Sequence, residues 1–238
     1  MPRLIENENI PDKMIMKPYI VCHMTQSIDG RVACDMVDKI SGDEYYEALN
    51  KLDCPSRIEG RYSYQLHCCG FEEFKPAQVG TVGKETFYKA SETKGYDISA
   101  DSRGILLWDD VDNTDRLCLV SEDVSPEYLD YLRRLGISYI ATGKGQIDLA
   151  RAVEILHDEF GVERLAVVGG GKINGGFLAA GLIDELSVMI APGIDGRIGQ
   201  PALFDGIEDN EEYRPLSVKL KDVSTFSNGV IWARYSVL

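Results

Sequence analysis

Four loops in this chain carry residues whose types and spacing could do chemistry. The densest is Val168-Gly169-Gly170-Gly171-Lys172-Ile173-Asn174-Gly175-Gly176, with five glycines in the eight positions from 169. Glycine lets a backbone approach a ligand closely, and free amides at a helix start favour an anion such as a pyrophosphate. The plainer alternative is a tight strand-to-helix turn that holds no ligand. The block is not a strict dinucleotide fingerprint, because Asn174 stands where a third glycine belongs when counting from Gly169. Nor is it a Walker loop. The Gly-Lys pairs at 83–84, 143–144 and 171–172 are followed by Glu85, Gly145 and Ile173, where Ser or Thr would have to hold a metal.

Ser121 and Thr142-Gly143-Lys144-Gly145 each follow a short apolar run. At the carboxyl ends of parallel strands they would flank the triple glycine and hold the ribose and adenine end of a dinucleotide. Glu122 and Asp123 beside Ser121 oppose a 2′-phosphate, and Ser121 could equally be a simple cap and Lys144 a solvated lysine. In Ser27-Ile28-Asp29-Gly30 the carboxylate could hydrogen-bond a substrate or donate a proton, although Asp-Gly is also a common turn. His67-Cys68-Cys69 is the one local grouping with metal-ligand chemistry. Its spacing matches no usual zinc pattern, so no metal is expected.

The elements that must position these loops are clearest from Arg116 to Pro192. Leu117–Val120, Ile137–Ala141 and Leu165–Val168 are short continuous apolar runs, as expected of strands buried on both faces. Ser125 with Pro126 starts a helix that Gly136 ends, and Asp148 starts a second that Gly161 closes. A short helix around Gly176–Ala180 and a strand Leu186–Ala191 follow. This rhythm predicts a parallel, doubly wound sheet. Tyr19–Cys22 is a further strand leading into Ser27. Ser217–Thr225 and Val230–Val237 alternate around Ser227-Asn228-Gly229, which predicts an antiparallel hairpin. Residues 40–115 show no sustained periodicity.

The whole chain has 238 residues and a formal net charge of −14. Such an acidic chain repels a phosphate backbone, so nucleic acid is disfavoured as a partner. No apolar stretch approaches the length of a membrane span, and the charged, proline-broken N-terminus is no signal peptide. Six cysteines without a C-x-x-C pair suit a reduced setting. The expectation is a cytoplasmic protein with one domain over residues 17–238 behind an N-terminal arm, residues 1–16.

Taken together, the chain resembles the riboflavin-biosynthesis reductase family, the C-terminal domain of RibD. The resemblance rests on Pro18-Tyr19-Ile20-Val21 with Ser27-x-Asp29-Gly30, on Gly169-Gly170-Gly171-x-x-Asn174, and on Ala180-Gly181-Leu182-Ile183-Asp184-Glu185-Leu186 through Ala191-Pro192-Gly193. It covers about residues 17–238. It implies a dihydrofolate-reductase-like α/β fold, three layers αβα, with a mainly parallel sheet and a C-terminal antiparallel hairpin. It also implies a homodimeric, NADPH-dependent reductase that delivers hydride to ribose C1′ of 5-amino-6-(5-phosphoribosylamino)uracil or its 2,5-diamino form. By similarity, Gly169, Gly170, Gly171, Lys172, Ile173 and Asn174 would cradle the cofactor, with Ser121, Thr142, Gly143 and Lys144 at its far end. Ser27 and Asp29 would face the catalytic cleft and meet substrate, with Asp29 catalytic. Gly70 is a further substrate candidate and Glu73 a second catalytic one, replacing a polar group lost from the family pattern, although an exposed helix carboxylate is the plainer account of Glu73.

Two departures from the family pattern are visible. Val168 stands where members usually carry an acid before the glycines. The segment after the second strand, normally Gly-Arg-x-Thr or similar, reads Gly70-Phe71-Glu72-Glu73-Phe74 here, without an arginine to clamp a phosphate. The zinc deaminase signature of the bifunctional proteins is absent. Two alternatives stand beside the riboflavin substrate: reduction of another small carbonyl or imine, and nucleotide binding without turnover.

Overall fold

A computed structural model describes residues 16–108, 115–206 and 215–238. Of the N-terminal arm only Met16 is among them. Ten strands form one sheet: β1 (Tyr19–Gln26), β2 (Ser56–Gly60), β3 (Thr86–Tyr88), β4 (Asp97–Ala100), β5 (Arg116–Val120), β6 (Ser138–Ala141), β7 (Arg164–Val167), β8 (Glu185–Ile190), β9 (Val218–Thr225) and β10 (Ile231–Val237). Their order across the sheet is β3-β6-β5-β4-β2-β7-β1-β8-β10-β9. Every pairing from β6 to β8 is parallel, and antiparallel strands close both edges. The C-terminal hairpin is as expected, with Gly229 at φ 90° in its turn. The antiparallel β3 at the opposite edge carried no clear sequence signal.

Among the described residues six α-helices complete the layers: α1 (Cys34–Ile40), α2 (Glu44–Lys51), α3 (Arg61–Tyr64), α4 (Pro126–Leu135), α5 (Leu149–Asp158) and α6 (Gly171–Ala179). A π-helical turn, Gln65–Cys69, continues α3. Local chemistry fixes the ends of α4 and α5. Ser125 Oγ accepts from the Tyr128 amide, Asp148 accepts from the Arg151 amide, and Gly136 takes the left-handed conformation at φ 71°.

Alternation along the strands sorts the core between two faces. Ile20, Cys22, Ile58, Ile98, Leu117, Leu119, Leu165 and Val167 point to one face, under α5 and α6, and form one continuous cluster. The other face holds two separate clusters. One gathers Tyr64, Trp108, Cys118, Val120 and α4; the other gathers Val21, Ala48, Met189 and Trp232. Between them the same face of β2 and β4 presents Arg57, Glu59 and Asp97, so a polar gap interrupts the apolar layer.

Candidate functional site

The glycine block leaves β7 and enters α6 after three irregular residues, Val168-Gly169-Gly170. Gly170 is the N-cap and Gly171 the first helical residue, so α6 begins five residues before the predicted Gly176–Ala180 helix. Glycine is a poor helix former, which is why the run reads as a loop; tertiary packing overrides it here. A Cβ at Gly171 would sit 2.3 Å from the Ala202 carbonyl oxygen, and one at Gly175 would sit 1.8 Å from that of Asp205. These two glycines therefore admit the chain's own 201–206 segment. Gly169 has φ 108° and a side chain there would meet Met24 Sδ at 2.8 Å, whereas at Gly170 the nearest atom is Ser63 Oγ at 3.5 Å. Of the four glycines at 169–171 and 175, Gly170 alone would take a Cβ at ordinary contact distance. The first-turn amides of Gly171 and Lys172 have no carbonyl inside the helix to bond, the donor set that suits an anionic group. Lys172 is exposed. Asn174, by contrast, is buried and donates from Nδ2 to the Leu203 carbonyl (2.8 Å), tying α6 to the same segment. Ile173 packs toward Gly60, whose added Cβ would lie 3.6 Å from its own.

The neighbours of β7 differ from those expected. Ser121 and Thr142 end β5 and β6, and in the sheet order β2 and β4 stand between these strands and β7. At about 4.8 Å per strand, β5 lies some ~14 Å from β7, so Ser121, Thr142, Gly143 and Lys144 do not flank the glycines. The chain's crossover through α5 carries it past three strands before it pairs with β1. Ser121 Oγ donates to the Ser102 carbonyl (2.7 Å), and Thr142 Oγ1 donates to the Asp148 carbonyl (3.1 Å). The Glu122 amide donates to the Gly143 carbonyl (2.7 Å), which joins the two loops. Lys144 is exposed.

The strand beside the glycines is β2, and its end carries what the sequence reading placed elsewhere. The segment after the second strand is Gly60-Arg61-Tyr62-Ser63, ten residues before Gly70, and it contains an arginine. The Gly60 amide donates to the Gly169 carbonyl (2.8 Å), and Ser63 is the neighbour of Gly170. Arg61 donates to Gln65 Oε1 (2.7 Å), and its Nε lies 3.8 Å from Asp101 Oδ1. Asp101 is fully buried, its Oδ2 accepting from the Ile105 and Leu106 amides (2.6 and 2.8 Å). Burial pushes its carboxyl above the usual range in spite of those amides. Only Ile58 in Ser-Arg-Ile-Glu-Gly is apolar and fully buried, so β2 gave no strand signal and its terminal Gly-Arg went unread.

Gly70 and Glu73 fall outside this arrangement. Gly70 ends the π-helical turn, exposed, with φ 70°. Glu73 bridges to Leu106 and pairs with Arg103 at 3.6 Å on the surface. Neither lines the large cavity described below.

Ser27 and Asp29 close a turn. Ser27 Oγ donates to Asp29 Oδ1 (2.6 Å) and accepts from the Arg31 amide (3.0 Å). Asp29 also accepts from the amides of Asp195 and Gly196 (3.0 and 2.9 Å). The Ser27 hydroxyl and those amides hold its carboxyl well below the usual range, so it stays an acceptor and is unsuited to donate a proton. The pair fastens the 193–197 loop to the end of β1.

Against Val168, in the gap between the two clusters, lies a cavity of about 650 Å³. Its walls come from β1 (Met24, Thr25), α1 and α2 (Val37, Tyr45), β2 (Arg57, Glu59) and the π-helical turn (His67). Thr25 Oγ1 is buried and has no hydrogen-bond partner. His23, next but one to Thr25 along β1, is buried between Ser187 Oγ (2.9 Å) and the Tyr45 carbonyl (3.1 Å). Burial pulls it down to about 4, which keeps it neutral. Among the described residues no group of three or more His, Cys, Asp or Glu is placed to hold a metal ion, and no helix is long and apolar enough to cross a membrane.

Comparison with known proteins bears on this geometry. A family model described as the RibD C-terminal domain matches residues 96–232. The 2,5-diamino-6-ribosylamino-4(3H)-pyrimidinone 5′-phosphate reductase of Methanothermobacter thermautotrophicus is 35% identical over 234 residues, 91% of this chain and 97% of that protein. Among solved structures, a pyrimidine reductase-like protein from Corynebacterium diphtheriae superposes with a TM-score of 0.71 at 18% identity, covering 93% of this chain and 92% of that one. RibD of Acinetobacter baumannii gives 0.63 at 20% identity, covering 93% of this chain and 58% of that one. At such identities the structural likenesses speak for the fold alone.

Proposed function

Because the chain belongs to the RibD C-terminal domain family of reductases, we propose that it is an NADPH-dependent reductase of a phosphorylated ribosylaminopyrimidine in riboflavin biosynthesis. The observation that carries this reading is the juxtaposition of the polar cavity with the Gly169–Gly171 turn, which meet at Val168. A nicotinamide bound there supplies hydride, which the pyrimidine's ribose would take at C1′.

The residues fit such a group. The uncrowded backbone at Gly170 and the first-turn amides of Gly171 and Lys172 suit a pyrophosphate, with Lys172 adding a positive charge. Arg61 emerges from β2 beside them with part of its side chain exposed, a guanidinium able to meet a phosphate. On a chain of net charge −14, this local positive field is what would draw two anionic ligands to one edge of the sheet. The cavity walls would orient the pyrimidine, with Thr25 Oγ1 the buried hydroxyl left for it. Ser27 and Asp29 act by holding the 193–197 loop rather than by touching the reacting atoms. Ser121, Thr142, Gly143 and Lys144, farther along the same edge, are left for the adenosine end. A cytoplasmic homodimer completes the reading. β9 is a sheet edge exposed along its whole length, with Leu220 and Val223 more than half exposed, and a second copy would cover it.

The test is direct. The purified chain is mixed with 2,5-diamino-6-ribosylamino-4(3H)-pyrimidinone 5′-phosphate and NADPH or NADH in parallel. Nicotinamide oxidation with a product two hydrogens heavier is the expected outcome, and binding of neither nucleotide by fluorescence titration would sink the proposal.

A further inference from the structure

We propose that Glu59, replenished through His67, donates the proton that accompanies hydride transfer in the cavity, an assignment that rests on the reductase reading above. Glu59 is the penultimate residue of β2. Ile58 pairs with Val167 and accepts from the Val168 amide (2.9 Å), so Glu59 lies alongside Val168 at the junction of cavity and glycine turn. Both residues line the cavity. The Glu59 side chain is 12% exposed, and Oε2 lies 3.3 Å from His67 Nδ1. The His67 side chain, carried on the π-helical turn, is 48% exposed. A largely buried carboxyl is thus linked to solvent by one imidazole. The unpartnered Thr25 hydroxyl on the same wall points independently to a polar ligand in this space.

Burial raises the Glu59 carboxyl above the ordinary glutamate range, although His67 and Arg57 oppose the shift. The groups facing it are Arg57 on its own strand, Asp97 on β4, His67, Cys68 and Cys69 on the π-helical turn, Cys34 on α1 and Tyr45 on α2. Arg57 is itself paired with Asp97 at 3.5 Å. Since the carboxyl is raised, its acid form persists to higher pH and is lost as pH climbs through its titration.

The chemistry balances. Opening the ribosylamine ring moves a proton from the exocyclic nitrogen to the ring oxygen and leaves a C1′=N bond with no net change. Reduction then adds hydride, a proton with two electrons, to C1′, while the π pair goes to nitrogen and takes the proton of Glu59. The carboxylate left behind regains a proton from His67, and His67 from water.

Two measurements on the full chain test this. Glu59→Gln should lower kcat about 10²–10⁴-fold, the usual range for a lost general acid. NADPH affinity by fluorescence should stay within about twofold, and the alkaline fall of kcat should vanish. Glu59→Asp should restore part of the rate. In substrate-free protein, infrared titration should show a protonated carboxyl band that persists above the ordinary glutamate range and is missing in E59Q. Unchanged kcat with an unchanged pH profile in E59Q, or absence of that band in the wild type, overturns the assignment. The band needs no substrate, so it decides the state of Glu59 even if the pyrimidine is not turned over, an outcome that would instead count against the reductase reading.

Discussion

Replacing Gly175 by alanine should destabilise the protein, while the same change at the next residue should stabilise it. Both positions lie inside α6, where alanine is favoured over glycine by about 1 kcal/mol. At Gly176 the new methyl meets only Leu149 Cδ1 at 3.2 Å, the tip of a flexible side chain. At Gly175 it meets the Asp205 carbonyl oxygen at 1.8 Å, so the backbone of the 201–206 segment must retreat by more than 1 Å. That retreat breaks the Asp205 amide's bond to the Gly171 carbonyl (2.9 Å) and the Asn174 Nδ2 bond to the Leu203 carbonyl (2.8 Å). Two hydrogen bonds at about 1 kcal/mol each, with overpacking strain of about 1 kcal/mol or more, outweigh the helix gain of about 1 kcal/mol and leave a net loss of about 2 kcal/mol. For a chain of this size, about 2–4 °C per kcal/mol gives a fall of ~4–8 °C for Gly175→Ala and a rise of ~2–4 °C for Gly176→Ala. Differential scanning calorimetry of the two variants reads the sign directly. If both midpoints move the same way, the glycines of α6 are not there to admit the 201–206 segment.

Gly170→Ala should leave the unfolding midpoint within about 2 °C, since only Ser63 Oγ lies near the added methyl, yet weaken NADPH binding about tenfold or more in a fluorescence titration. Asp29→Ala should speed amide hydrogen exchange at Asp195 and Gly196, its two backbone donors, by mass spectrometry or NMR. Because the Asp29 carboxyl is held below its ordinary value, its hold on that loop is present at and above the usual aspartate titration near pH ~3.9 and is released only at lower pH. Protection in the wild type should therefore persist through pH 4. Leu220→Asp with Val223→Asp on β9 should convert a dimer to a monomer by sedimentation, with the midpoint of each chain little changed because both side chains are exposed.

How much was legible follows from where each signal resides. From β5 to α6 the chain announces itself through local chemistry. Buried parallel strands need continuous apolar runs, and Ser125, Asp148 and Gly136 satisfy helix ends by contacts a few residues long. The strand beside the glycines is hidden by where its side chains point. Arg57 and Glu59 face the cavity instead of a core, so β2 lacks the apolar pattern that betrays a strand, and with it went Gly60-Arg61 and Glu59. An arginine does follow the second strand, at position 61 and not near Phe71. Glycine spacing located the turn at 169–171, but the reason for Gly171 and Gly175 lies in a segment some thirty residues onward, which no local pattern reports. Sheet order is equally nonlocal, and it moved Ser121 and Thr142 away from the glycines.

The division of one sheet face into two apolar clusters has a mechanical consequence. A continuous core transmits strain as one body, as the α5/α6 face does, but the opposite face is seamed along the cavity. Its two halves are joined across the seam by the sheet itself and by charged pairs such as Arg57 with Asp97. A molecule seated there would touch one bank at Tyr45 and, through His67 and Cys68, the π-helical turn that follows Tyr64 of the other, and so act as a suture. Bound ligand at a hundredfold over its Kd adds about 2.7 kcal/mol to the folded state, and here that energy falls on the boundary between two parts rather than inside either. Saturation should then narrow the thermal transition as well as raise it, because parts that could open separately would open together.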